Sequence, residues 1–130
     1  MATPAGLLSL PGGEWEGETE AGRAEGAGEF RFANGFVYEG QASGNLMHGE
    51  GTLTLADGES YTGGFERDQR HGSGKHCWPS GSVYEGEMKE GQIEGEGNFH
   101  FGNGDLYDGE FVCGLFHGQG VYRVAESGAW

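Results

Sequence analysis

Aromatic residues stand at Trp15, Tyr38, Tyr61, Tyr84, Tyr107 and Trp130, one every 23 residues without a slip. A fixed period of this length marks an array in which one small unit is repeated and stacked. It excludes most ways of folding a chain of 130 residues, because each element must recur at the same spacing. Glycine obeys the same period. With each aromatic as position one, position three is Gly17, Gly40, Gly63, Gly86 and Gly109. Position twelve is Gly26, Gly49, Gly72, Gly95 and Gly118, and position fourteen is Gly28, Gly51, Gly74, Gly97 and Gly120. By composition alone, 29 glycines, 35% hydrophobic residues and a net charge of −14 match an acidic disordered segment. A random coil has no use for fixed columns, so the spacing predicts an ordered chain.

Each unit reads as a β-hairpin. In residues 61–83, two short stretches alternate with period two, one from the aromatic to about position six and one from the glycine pair to about position eighteen. Asn34-Gly35, Asp57-Gly58, Ser80-Gly81 and Asn103-Gly104 close the units. Asn-Gly and Asp-Gly predict a tight turn with positive φ at both residues. Ala21-Gly22, Gly44-Asn45, Arg67-Asp68, Glu90-Gly91 and Cys113-Gly114 turn the other end. No window has helical spacing, and each interior glycine would cost a helix roughly 1 kcal/mol. The expected class is all-β, a thin single-layer antiparallel sheet of stacked hairpins.

Alternation assigns the faces if no bulge intervenes. Positions one, three and five share a face: the aromatic, the glycine, then Thr19, Ala42, Phe65, Met88 or Phe111. From the returning strand, Phe30/Phe32, Leu53/Leu55, His76/Trp78, Phe99/Phe101 and Tyr122/Val124 join it. The glycines leave room for rings to lie across bare backbone. Two readings stay open: the face is the core of a thin sheet, or part of it is a protein-binding groove. The groove would be lined by Tyr38, Tyr61, Phe65, Trp78, Tyr84, Met88, Tyr107 and Phe111. The opposite face stacks carboxylates at positions two and four, interrupted by Thr62 and Gly64. Like charges facing across strands destabilise. The face is either a solvated surface or a docking surface on which Glu39, Glu85, Glu87, Asp108 and Glu110 steer a basic segment.

The residues of catalysis are missing from this pattern. His48, His71 and His117 share position eleven with Glu25 and Glu94, which reads as a ladder of turn-end side chains. His71, His76 and Cys77 fall short of a four-ligand zinc site. No serine or cysteine sits in a motif that would activate it, and the Gly-x-Gly pairs open no helix that could hold phosphate. Seven basic residues against 21 acidic ones oppose nucleic-acid binding. Cys77 and Cys113 fall about three strands apart, roughly 14 Å. A disulfide spans at most about 7 Å between Cα atoms, so both thiols are expected reduced. Leu7, Leu8 and Leu10 are too few for a signal peptide or a membrane span. The expectation is a cytoplasmic chain that is not an enzyme, with no cofactor and no metal.

Tyr84-Glu85-Gly86-Glu87, the Gly-x-Gly pairs and the Asp/Asn-Gly turns resemble the MORN repeat (membrane occupation and recognition nexus). The resemblance divides the chain into five copies, 15–37, 38–60, 61–83, 84–106 and 107–130, preceded by an N-terminal cap and half-repeat over 1–14. It implies an elongated, twisted sheet with a groove along it. Trp15 and Trp130 are expected as end caps that blunt edge pairing, or as places where end strands join a second copy into a homo-oligomer. Proteins built only of such repeats are often parts of cilia, flagella or other cytoskeletal assemblies. The implied function is therefore a protein-interaction scaffold for a basic or amphipathic helix or extended peptide. Other members of the family lie near membranes, which makes a phospholipid-binding module the alternative. Arg67, Arg70, Lys75 and Lys89 sit among carboxylates, and anionic lipid requires clustered cations, so a membrane partner is the weaker expectation.

Overall fold

Short alternating stretches joined by turn residues produce one antiparallel sheet. The computed structural model describes residues 6–125. Within them eleven strands pair strictly in chain order: β1 (Gly6–Leu10), β2 (Gly13–Glu20), β3 (Arg23–Phe32), β4 (Val37–Ser43), β5 (Leu46–Thr54), β6 (Ser60–Glu66), β7 (Gln69–Cys77), β8 (Val83–Lys89), β9 (Gln92–His100), β10 (Leu106–Val112) and β11 (Leu115–Arg123). The half-repeat supplies β1, whose Leu8 faces Trp15. Trp15 is therefore no edge cap. It is 0% exposed, because Leu8 and Leu10 carry the alternation of a returning strand and place β1 outside it. Trp130, the other expected cap, lies outside the described residues.

The turn chemistry is the reverse of the expectation. Both residues of the two-residue turn are left-handed at the opposite end from Asn-Gly, as at Arg67 (φ 48°) and Asp68 (φ 70°). At the Asn-Gly end only the glycine is left-handed, and four residues, 33–36, form the loop. Asn34 and Asp57 act through their side chains instead: Oδ1 accepts from the N–H of Phe36 at 3.0 Å and of Glu59 at 2.9 Å. Both uses are open to Asn and Asp. A left-handed L-residue costs roughly 1–2 kcal/mol, so Arg67→Gly is expected to stabilise the fold by about 1 kcal/mol in urea denaturation. No gain would show that another Arg67 contact offsets the strain.

Each hairpin also carries a bulge that the alternation does not reveal. Gly40 faces Gly51 and Ala42 faces Met47, leaving three residues of β5 opposite Gln41. The two extra residues preserve parity, so the assigned faces hold. Position four stitches the bulge: Oε1 of Gln41 accepts from Glu50 N–H and Oε1 of Glu87 from Glu96 N–H, both at 2.9 Å. Position twelve must be bare beside it. A Cβ on Gly49 would lie 2.2 Å from Gln41 Oε1.

The core lies on the aromatic face and is built around one fully buried row. Trp15, Tyr38, Tyr61 and Tyr84 are 0% exposed and Tyr107 is 6%. Their polar tips find one partner type, the carbonyl three residues on: Trp15 Nε1–H donates to Glu18 at 2.9 Å, Tyr38 to Gln41 at 2.6 Å, Tyr84 to Glu87 at 2.7 Å. Indole can replace phenol at Trp15 because its N–H reaches the same oxygen. Burial pushes the Tyr38 and Tyr84 hydroxyls up to about 12. Position five reaches back over the preceding repeat, Phe65 meeting Tyr38 edge-on at 5.0 Å and Phe111 meeting Tyr84 at 5.3 Å. Turn N–H groups bond the preceding repeat as well, Asp68 to Met47 C=O at 2.9 Å and Gly91 to Arg70 C=O at 3.0 Å.

Candidate functional site

The eight side chains expected to line a groove divide into two groups. Tyr38, Tyr61, Phe65, Tyr84, Met88, Tyr107 and Phe111 are all buried. A one-layer sheet has no second layer to supply a core, so these seven are drawn into it together with Trp15, Ala24, Phe30, Ala42 and Met47. Trp78 alone among the eight stays partly exposed.

Trp78 begins an outer stripe. Its ring lies 5.2 Å from Phe99, Phe99 lies 4.6 Å from Phe101, and Phe101 lies 5.5 Å from Tyr122 and 6.1 Å from Phe116. Phe99 and Phe101 are partly buried, while Phe116 and Tyr122 are 49% and 48% exposed. These are residues eighteen, sixteen and ten of the last three repeats. Position ten (Ala24, Met47, Arg70, Ile93, Phe116) is a further core-side column that the alternation argument missed. The signal was available in its mostly apolar members.

On the other face a shallow trough of about 730 Å³ runs across β2 to β6, with Glu16, Glu29, Glu39, Glu50, Thr52 and Thr62 on its walls and glycine backbone as its floor. Of the five acidic residues expected to steer a partner, only Glu39 lines it. Glu85 faces Lys75 at 4.0 Å, Glu87 is engaged with the bulge amide of Glu96, and Glu110 packs against Gly118. Asp108 is exposed beside them. The cost of directly opposed Glu16, Glu29 and Glu39 is relieved by Arg31, which bonds Glu16 at 3.1 Å and Glu29 at 2.8 Å.

One cluster in the core is polar. His76 and Arg70 occupy columns that are apolar in the neighbouring repeats, and His76 is 3% exposed. Its Nε2 meets Glu59 Oε1 at 2.5 Å and its Nδ1 meets Arg70 Nη1 at 3.0 Å. Arginine only donates, so Nδ1 accepts and the proton sits on Nε2. Burial, opposed by the Glu59 hydrogen bond, holds His76 below the usual histidine range. Arg70 also donates to Gly91 C=O and lies 5.8 Å over the Tyr61 ring. Among the described residues no group of three or more His, Cys, Asp or Glu side chains is placed to hold a metal ion, and Cys77 and Cys113 are both free thiols.

Comparison with known families agrees with this geometry. The family model described as MORN repeat matches residues 15–37, 38–60, 61–83, 84–106 and 107–123. No curated protein matches the chain. Repeats of this family are commonly protein- or membrane-interaction modules. Five matched copies in unbroken succession cover nearly the whole chain, which belongs to the MORN repeat family.

Proposed function

We propose that this chain is a non-catalytic scaffold that holds a basic or amphipathic segment of a partner protein, helical or extended, within a cytoplasmic assembly of the cytoskeletal, ciliary or flagellar kind. The observation that carries the reading is the stripe Trp78–Phe99–Phe101–Phe116–Tyr122. Its rings touch one another in an unbroken run and pack against the core with one side, yet all stay partly exposed on the other. Contiguous exposed apolar surface of this kind marks interaction sites, and aromatic rings supply most of the energy at such contacts. The net charge of −14 favours a basic partner by steering its approach. Pairing of an end strand with a second copy is a further part of this proposal, since β11, last in the sheet among the described residues, carries exposed Leu115 and Val121, with exposed Val124 just beyond it.

Titration of isotope-labelled protein with an acetylated peptide bearing leucine on one helical face and lysine on the other tests the stripe. Shifts are expected at the Trp78 indole and around Phe101, Phe116 and Tyr122. Phe101→Ser with Phe116→Ser should weaken binding about tenfold or more while the amide spectrum of β2 to β7 is kept. Equal affinity of that variant, or shifts confined to the acidic trough, would reject the stripe as the docking surface.

A further inference from the structure

We propose that Glu59, His76 and Arg70 form an acid-sensitive latch that fixes Trp78 in the docking stripe and ties the third repeat to the fourth. The proposal rests on the docking reading for its consequence, and on buried geometry for its mechanism.

Neutral His76 is the centre of a three-member chain. Its Nε2–H donates to the Glu59 carboxylate in the loop before β6, and its Nδ1 accepts from Arg70 on its own strand β7. Proton uptake at Nδ1 turns that acceptor into a donor facing another donor at 3.0 Å. It also sets two cations side by side in a buried site, where their repulsion is little screened. Glu59 is the one carboxylate in contact, with Asp57 adding attraction from the same loop. The other titratable residues beside His76 are Tyr61 on β6, its ring centre 6.1 Å away, and Tyr84, its register partner on β8, whose hydroxyls donate to Gly64 C=O and Glu87 C=O. Neither can take up the excess charge. Arg70 must therefore withdraw.

Two contacts go with it. Arg70 donates to the carbonyl of Gly91 in the turn between β8 and β9, so its departure loosens the fourth repeat's turn. Trp78 packs on the His76 ring at 4.4 Å and is the first ring of the stripe. A charged imidazole draws solvent toward that contact and disturbs the ring that a partner would meet. The third repeat also has Gly64 where the second and fourth place the bulge-stitching Gln41 and Glu87, and no atom lies within 4 Å of a Cβ built on Gly72. The latch sits in a repeat that lacks the bulge bond of both its neighbours.

The test is a titration of the free, ¹⁵N-labelled protein from about pH 7.5 to about pH 5, spanning the usual histidine range. At the start, long-range proton–nitrogen spectra should show His76 as the Nε2–H tautomer. On acidification the Trp78 indole and Gly91 amide signals should move together, with a midpoint below the ordinary histidine value of about 6.5. His71→Asn, which removes a half-buried histidine outside the cluster that pairs with Glu66, should leave the response intact. His76→Phe with Arg70→Met restores apolar columns such as Phe99 and Met47 provide, and should fold and abolish it. The same response in that double variant, an Nδ1–H tautomer, or independent movement of Trp78 and Gly91 would overturn the latch. Affinity for the leucine–lysine peptide should fall about tenfold at the acid end for the wild type alone. A peptide that does not bind the stripe at neutral pH would reject the docking reading, while coupled Trp78 and Gly91 shifts would still establish the latch.

Discussion

Gly51→Ala is expected to lower stability by about 3 kcal/mol or more, although the change is one methyl group in a surface-facing sheet. A Cβ at Gly51 would lie 2.4 Å from each of Cε1, Cζ and the hydroxyl oxygen of Tyr38. The ring has nowhere to go. It is 0% exposed, its hydroxyl donates to Gln41 C=O at 2.6 Å, and Phe65 covers it from the next repeat. Gly51 has no left-handed backbone to preserve, so the loss would arise from space alone. Two other substitutions separate the causes. Gly58→Ala meets no atom within 4 Å but has φ +92°, and should cost about 1 kcal/mol. Gly12→Ala has neither obstacle and should be neutral. Urea denaturation of the three gives the order directly. If Gly51→Ala unfolds like Gly12→Ala, the ring does not lie across that backbone, and the account of the core given above is wrong.

That result bears on what the sequence makes legible. The glycine columns and the aromatic period are visible because each reflects one recurring contact, a ring laid over two facing glycines such as Gly40 and Gly51. Period two then assigns faces correctly through a bulge of two residues, since an even insertion leaves parity unchanged. Other features leave no comparable trace. Asn34 and Asp57 are equally suited to a left-handed turn and to a side-chain cap, and only the backbone shows the cap. Gln41 and Glu87 look like free polar surface because alternation reports the direction of a side chain and not what it bonds. Groove and core are inseparable by pattern, since both want rings at positions one and five. The deciding quantity is the thickness of one sheet, which leaves the tyrosines no second layer to pack against. The His76–Arg70 cluster was visible only as two polar residues in apolar columns, and needed the position of Glu59 to become a chemical arrangement.

Tyr84→Ala is expected to cost about 3–5 kcal/mol and to divide the array rather than weaken it evenly. The ring touches Phe99 of its own repeat at 6.4 Å and Phe111 of the next at 5.3 Å, and is 0% exposed. Its removal therefore opens a cavity in both the fourth repeat and the junction with the fifth. In a stack where each repeat contacts only its neighbours, stability is a sum of repeat and junction contributions. Loss at one junction is not shared with distant ones. Tyr84→Phe keeps the ring and removes only the 2.7 Å bond to Glu87 C=O, and should cost about 1 kcal/mol. Hydrogen exchange separates the two. In Tyr84→Ala, amides of β8 to β11 should lose protection while those of β2 to β5 keep most of theirs; in Tyr84→Phe the profile should stay close to the parent. Equal loss of protection from β2 to β11 would show that the sheet opens as one cooperative unit. Nearest-neighbour additivity would then fail for this array, and the latch between the third and fourth repeats would have to act on the whole molecule.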